Sequence, residues 1–216
     1  MTRVRRIDSC RGEMLWFLGA KDAKNAKTEK KREESDKTQL TKAREAKIWY
    51  NLCMRILSKV EWNEAVDGKC DVSFISPMER RRLTALEKAA ISVAWKAQEA
   101  VGGAPDVVVF ASRWGEIGTT LKLMRQMFEE GEMSPAGFSN SVHNAAPGHF
   151  SLLTKNHAPY TAIAAAETTY EMGLLEASTY PGRVLFVYAE EATPELYRPH
   201  FADIQQAHAV AMVVEN

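Results

Sequence analysis

The stretch that most constrains the fold is residues 159–177, PYTAIAAAETTYEMGLLEA. Small and apolar residues dominate positions 160–166, which predicts a short strand covered on both faces. A sharp turn at Ala166 and Glu167 then leads into a helix that runs back along the sheet. Many enzymes place a nucleophile at such a turn. However, Glu167 also fits an ordinary first helical turn, because helix N-termini favour anions.

Further apolar runs predict a layered fold. Strands are expected at residues 106–111, 183–188 and 209–214, and a short basic run at 3–7 is a candidate first strand. Helical periodicity covers residues 43–60, 76–100, 115–131 and 141–155. Strands that alternate with helices of this length predict an α/β fold with a mostly parallel sheet.

The N-terminal third differs from the rest in charge. Residues 1–70 hold 17 Lys/Arg and 11 Asp/Glu, whereas residues 71–216 hold 11 and 17, so the chain has no net charge. Residues 21–47 form a charged insert, which predicts a solvated loop or the exposed start of a helix. Acidic residues are mixed into it and no aromatic residue is interleaved, which argues against nucleic-acid binding.

Membrane insertion and metal or disulfide chemistry also find little support. The apolar run at residues 14–18 is too short to span a membrane, so a cytoplasmic protein is expected. Cys10, Cys53 and Cys70 match no CxxC-type spacing. His143 and His149 lie six residues apart, which is not a helical metal spacing, and no metal site is predicted.

Nucleophilic and acid–base catalysis lack a recognisable set of residues. There is no GxSxG-like elbow for Ser-His-Asp chemistry. Adjacent carboxylates occur at Glu129–Glu130 and Glu190–Glu191, but neighbours of this kind usually form solvated faces. The residues alone therefore assemble no catalytic site.

The order of three segments carries a family resemblance. ISPMERRRLTALEKAAISVAWKA, FSNSVHNAAPGHFSLL and PYTAIAAAETTYEMGLLEA follow one another as in the N-terminal half of a β-ketoacyl synthase. The resemblance covers residues 71–216, and the second segment is most similar to the chain-length-factor-like subunits of aryl polyene biosynthesis. It implies half of a thiolase-like fold, with a mostly parallel five-stranded sheet and helices on both faces. Residues 1–70 match poorly and are treated as a divergent region with the charged insert and a helix.

The resemblance also implies a loss of chemistry. Matching strand and helix without a gap places Glu167 at the position of the cysteine that accepts the acyl chain in synthases. The family's two catalytic histidines belong to a C-terminal half that this sequence does not include, and His143 and His149 do not replace them. A thiolate and histidines are both needed for transfer and condensation. No catalytic residue, no cofactor and no independent condensing activity are therefore expected.

The same resemblance suggests partners. A full-length ketosynthase would complete a heterodimer, and the substrate would be carried on the phosphopantetheine of an acyl carrier protein. The dimer-interface candidates are the residues of the strand before Glu167: Tyr160, Thr161, Ala162, Ile163, Ala164 and Ala165. The candidates for shaping the acyl tunnel lie on the helix after Gly115: Thr119, Thr120, Met124 and Phe128. Ordinary core packing is the alternative explanation for these four.

Two other functions stay open at this point. One is a decarboxylating priming subunit that acts on malonyl-acyl carrier protein, with Glu167 replacing the polar residue found at the cysteine position. The other is a structural scaffold for the proteins of the pathway.

Overall fold

The structure, a computed structural model, describes residues 54–200 and 204–216. The expectations for residues 3–7, for the charged insert at 21–47 and for the beginning of the 43–60 helix lie outside these residues. Within them a single five-stranded sheet forms. Its strands are β1 (Arg55–Asn63), β2 (Val107–Ala111), β3 (Tyr160–Ile163), β4 (Arg183–Glu190) and β5 (His208–Glu215).

The strands lie in the order β1-β5-β4-β2-β3. β2 pairs in parallel with β3 and with β4, whereas β5 pairs antiparallel with β4 and with β1. Four strands therefore point one way and β5 is reversed. The prediction of a mostly parallel sheet is thus confirmed for strand direction, but two of the four strand pairings are antiparallel. No crossover helix separates β4 from β5 in the described residues, so β5 returns beside β4 in the opposite sense.

Seven α-helices surround the sheet in the described part of the chain. They are α1 (Glu64–Asp67), α2 (Pro77–Arg80), α3 (Ala85–Val101), α4 (Ile117–Glu130), α5 (Pro135–Ser139), α6 (Ala145–Thr154) and α7 (Thr169–Ser178). Short 3₁₀ turns occur at Ala166–Thr168 and Glu195–Tyr197.

The two faces of the sheet are covered by different helices, as expected. Alternate strand residues such as Val108 and Phe110 face α3 and α6, while Val109 and Ala111 face α7. This division follows from the two-residue period of a strand. α7 lies so close to the sheet that a Cβ on Gly173 would be 2.6 Å from the Phe186 ring.

The predicted helix over residues 43–60 is wrong for its described part, because residues 55–63 form β1. Ser58, Val60 and Trp62 alternate with the exposed Lys59 and Glu61, a period of two that is typical of a strand. An irregularity in the pairing between Ile56 and Ser58 interrupts the pattern and hides it. Residues 55–63 thus belong to the same sheet as the later strands, although the sequence placed them in a separate N-terminal region.

The helix predicted over residues 76–100 is divided in two. Ser76 caps the first part, since its hydroxyl accepts a hydrogen bond from the backbone N–H of Glu79 at 3.3 Å, but α2 lasts only one turn. Thr84 and Glu87 form a capping box, with bonds of 2.8 and 3.1 Å, and this box begins α3. The helices predicted at 115–131 and 141–155 are confirmed as α4 and α6.

The strand in residues 160–166 is confirmed in place but corrected in extent and burial. β3 ends at Ile163, so the interface candidates Ala164 and Ala165 lie beyond it. It is also not covered on both faces: Tyr160 is exposed and the other three residues are half-buried. The reason is that β3 is an edge strand, paired only with β2 among the described strands.

Candidate functional site

The turn between β3 and α7 holds a strained backbone. Ala166 has a φ of 49°, one of two positive φ values at non-glycine residues in the described chain. Such a conformation costs an L-residue about 1–3 kcal/mol and often marks a functional site. The side chain of Thr169 holds the turn, since its hydroxyl accepts the Ala165 N–H at 2.9 Å and donates to the Ala166 carbonyl at 2.7 Å.

Glu167 follows directly and is joined to the end of β2. Its Oε1 accepts a hydrogen bond from Nη2 of Arg113 at 2.6 Å. The Arg113 side chain is only 9% exposed, whereas that of Glu167 is 62% exposed. Glu167 is therefore a carboxylate with a buried cationic partner at the carboxyl end of parallel strands, where open α/β sheets bind ligands.

The end of β4 contributes a carboxylate that sequence reasoning had assigned to a solvated face. Glu190 is 1% exposed and accepts hydrogen bonds from the Arg113 N–H and, at 3.2 Å, from the Ser112 hydroxyl. Burial raises the pKa of Glu190 to about 7, and the hydrogen bonds from residues 112–114 and Tyr188 only partly offset this. Glu190 thus fixes the backbone of the loop that presents Arg113 to Glu167.

Three more carboxyl groups converge beside this loop. Glu116 is 2% exposed, and its Oε1 accepts a hydrogen bond from the Thr84 hydroxyl at 2.7 Å. Burial raises the pKa of Glu116 to about 8, and the charges of Glu191 and Glu87 add to the effect. Glu87 is completely buried and lies 2.7 Å from Nδ1 of His149. The helix N-termini of α3 and α4 therefore meet over a cluster of buried glutamates.

Glu191 joins those two helices. Its Oε2 accepts the N–H of Gly118 at 2.9 Å, at the start of α4. The backbone N–H of Leu86 at the start of α3 also bonds it, and burial raises the pKa of the Glu191 carboxyl above its usual range. The signal in the sequence was the position of two adjacent glutamates at the carboxyl end of a buried strand.

Three of the four residues predicted to shape the tunnel are exposed in the described chain. Thr120, Met124 and Phe128 lie one turn apart and are exposed, Phe128 by 85%. Thr119 differs, because its hydroxyl donates a hydrogen bond to Oε2 of Glu116 at 3.2 Å.

The predicted interface residues lie close to further exposed apolar side chains. A shallow pocket of about 360 Å³ brings Tyr160 next to Val142, Leu152 and His149. Val142 is 44% and Leu152 76% exposed. The apolar surface thus runs from β3 across α6 toward α5, which packs on α4.

A second concavity is lined in part by Glu190 and Glu191. It measures about 730 Å³ and is lined by Trp62, Cys70, Lys88 and Glu191, among others.

In residues 54–200 and 204–216 no three His, Cys, Asp or Glu side chains come together in a way that could hold a metal ion. None of the described helices is long and apolar enough to cross a membrane.

Comparison with known proteins gives a family match over most of the chain. Residues 54–216 match the family model of the β-ketoacyl synthase N-terminal domain. None of the curated protein sequences matches significantly.

Solved structures provide the remaining similarities. The complex of the ketosynthase ApeO with its chain length factor ApeC from Xenorhabdus doucetiae contains a chain that is 26% identical, with a TM-score of 0.62. The match covers 68% of the present chain and 63% of that chain. The complex AntDE:AntF, a type II polyketide synthase acyl carrier protein with its ketosynthase bound to the hexaketide, matches with 13% identity and a TM-score of 0.57, over 76% and 62%.

A β-ketoacyl synthase from Burkholderia phymatum matches with 14% identity and a TM-score of 0.52, over 68% of the present chain and 45% of its own. In all three comparisons the matched part is less than two thirds of the other chain.

Proposed function

The chain belongs to the β-ketoacyl synthase family, and we propose that it acts as a chain-length-factor-like partner of a ketosynthase rather than as a condensing enzyme. In this role it completes a heterodimer and shapes the tunnel that receives the growing acyl chain. The substrate is a polyketide or aryl polyene intermediate on the phosphopantetheine of an acyl carrier protein, and the chain itself needs no cofactor.

The observation that carries the proposal is the exposed apolar face of α4. Met124, Met127 and Phe128 are 44%, 49% and 85% exposed, and only Leu123 of this helix is buried. Large contiguous apolar surfaces of this kind usually mark an interface. A ketosynthase that covers this face would place Thr120, Met124 and Phe128 against its own acyl tunnel.

The free edge of β3 supports the same arrangement. Its outer N–H and C=O groups have no strand partner among the described residues, and such edges favour the addition of another strand. Tyr160, Thr161, Ala162 and Ile163 would then pair across the heterodimer, while Ala164 and Ala165 would lie at the border of the interface.

The turn at Glu167 argues against independent condensation. Acyl transfer by a β-ketoacyl synthase requires a thiolate nucleophile. The Glu167 carboxylate, which is paired with Arg113, cannot replace a thiolate.

A co-expression experiment tests the proposal. The chain and the ketosynthase of the same biosynthetic system should co-purify as a 1:1 complex, measured by light scattering. Thr120→Trp and Met124→Trp should shorten the acyl product, read by mass spectrometry, because they add bulk on the tunnel face. Lys122→Trp is the matched control, since residue 122 is exposed on another side of α4 and should leave the length unchanged.

Other outcomes would contradict the proposal. Failure of the chain to co-purify with the ketosynthase would exclude the heterodimer. An unchanged product length in all three variants would favour a structural scaffold. Loss of malonyl-acyl carrier protein decarboxylation in a Glu167→Ala complex would instead favour the priming subunit.

A further inference from the structure

His149 of α6 is held against a completely buried carboxylate. Its Nδ1 lies 2.7 Å from Oε1 of Glu87, and the other oxygen of Glu87 accepts the backbone N–H of Thr84 at 2.8 Å. Glu87 is 0% exposed, whereas the His149 side chain is 27% exposed. The imidazole therefore joins the buried start of α3 to the surface of α6.

These contacts select one form of the imidazole ring. An imidazole is a stronger base than a carboxylate, so the shared proton belongs to Nδ1, which donates it to Glu87. The other ring nitrogen, Nε2, then carries a lone pair in the neutral ring and accepts hydrogen bonds. Nε2 of His149 has no hydrogen bond within the described residues, and it is open to solvent, unlike Nε2 of His143, which is buried. The surface of α6 thus presents a hydrogen-bond acceptor of fixed direction.

This acceptor belongs to the shallow pocket of about 360 Å³ that Tyr160 also lines. Val142 and Leu152 give the pocket apolar walls, and the exposed Asn144 lines it as well. Apolar walls beside an oriented acceptor suit an aromatic side chain that carries an N–H or O–H donor.

The sequence around the pocket is depleted in charge. Residues 133–166 contain no Asp or Glu and one Lys, although 26% of the whole chain is charged. Large apolar side chains are exposed in the same segment, Phe138 by 58% and Leu152 by 76%. Depletion of charge together with exposed aromatic and aliphatic side chains is typical of the centre of a protein interface. This surface is continuous with the edge of β3, where the ketosynthase is proposed to bind.

We infer that the ketosynthase inserts a tyrosine or tryptophan side chain into this pocket, and that this side chain donates a hydrogen bond to Nε2 of His149. A partner that covers the pocket removes water from Nε2, and a buried acceptor without a donor would oppose binding. A carboxylate could not take the place of the donor, because it offers only lone pairs to the neutral ring. The inference rests on the proposed heterodimer and adds the class of side chain by which the partner is recognised.

Nitrogen-15 NMR of the full chain with labelled histidine tests the hydrogen bond, at about pH 8, where imidazoles are ordinarily neutral. The free chain should show His149 protonated at Nδ1 and unprotonated at Nε2. Addition of the ketosynthase should shift the Nε2 resonance of His149 in the direction of a hydrogen-bonded acceptor. His208 lies on β5, three strands from β3 in the sheet order, and should keep its resonance.

Glu87→Gln tests the role of the buried carboxylate. An amide can donate to Nδ1, so this variant should raise the fraction of the free chain that carries the His149 proton on Nε2. A change of tautomer is a readout that loss of packing alone would not produce.

Asn144→Trp tests the pocket itself. The Asn144 side chain is exposed and makes no cap hydrogen bond, so the variant should fold as the wild type does and fill the pocket. It should weaken the complex with the ketosynthase at least about tenfold in titration calorimetry. Glu99→Trp, at an exposed position of α3 outside the pocket, is the control and should bind as the wild type does.

The outcomes separate this inference from the heterodimer on which it rests. A complex that forms with an unchanged Nε2 resonance, or that tolerates Asn144→Trp, would overturn the inference and leave the heterodimer standing. Protonation of Nε2 on binding would mean that the partner supplies a carboxylate, which would overturn the inference as well. Absence of any complex would overturn the heterodimer itself and the inference with it.

Discussion

Helices α3 and α4 are the two longest helices described, and they are held in opposite ways. α3 runs for 17 residues and buries nine of them against the sheet and α6, whereas α4 runs for 14 residues and buries one. α3 begins with a complete capping box, but Glu116 at the start of α4 makes no cap hydrogen bond with its side chain. α3 is therefore part of the core. In contrast, α4 is held mainly by contacts at its first turn and exposes an apolar face.

This difference separates folding from recognition. Burial of apolar side chains supplies most of the stability of a domain, and the residues of α3 serve that purpose. The apolar residues of α4 contribute little to the fold in the described chain, so their exposure needs another reason. The proposed contact with a ketosynthase explains the exposure of these residues.

The largest expected effect is on the α3 side of the comparison. Ile91→Ala should lower the free energy of unfolding by about 2–5 kcal/mol, because Ile91 is 1% exposed and the change leaves a cavity. Urea denaturation monitored by circular dichroism measures this. Met127→Ala in α4 is the control and should cost less than about 1 kcal/mol. Equal losses in the two variants would mean that α4 is packed as tightly as α3.

Local patterns predicted much of the fold. The runs at residues 106–111, 183–188 and 209–214 became β2, β4 and β5, because continuous apolar segments have few places other than a buried sheet. The strand β1 was missed because one irregularity in its pairing interrupts the alternation at Ile56 and Ser58.

The glutamate cluster could not be predicted from local pattern. Glu190 is buried by Ser112 and Arg113, which lie 78 and 77 residues away in the sequence. Glu116 meets Thr84 across 32 residues. In the sequence, the adjacent pair Glu190–Glu191 is typical of a solvated surface. Its burial follows from the strand order, which brings the loop after β2 and the starts of α3 and α4 to the same edge of the sheet. The φ of Ala166 likewise depends on contacts that the residue itself does not reveal.

An intermediate effect is expected where the two helices meet. Thr84→Ala should destabilise the chain by about 1–3 kcal/mol, since it removes the cap of α3 and the hydroxyl that binds Glu116. Ser76→Ala is the matched control, because Ser76 caps only the one-turn α2 and should cost about 0.5–1 kcal/mol. Thermal unfolding followed by calorimetry compares the two. A loss no larger for Thr84 than for Ser76 would show that the link to Glu116 adds nothing to stability.

The smallest expected effect is the most informative about the face of α4. Phe128 is 85% exposed, so Phe128→Gln should change the free energy of unfolding of the free chain by no more than about 0.5 kcal/mol. The same variant should weaken the complex with a ketosynthase at least about tenfold, because aromatic side chains commonly dominate the energy of an interface. Urea denaturation and titration calorimetry measure the two quantities on the same preparation. A large loss of stability in the free chain would mean that another part of the chain covers Phe128. Both α3 and α4 would then contribute to folding, and they would differ only in the segments against which they pack.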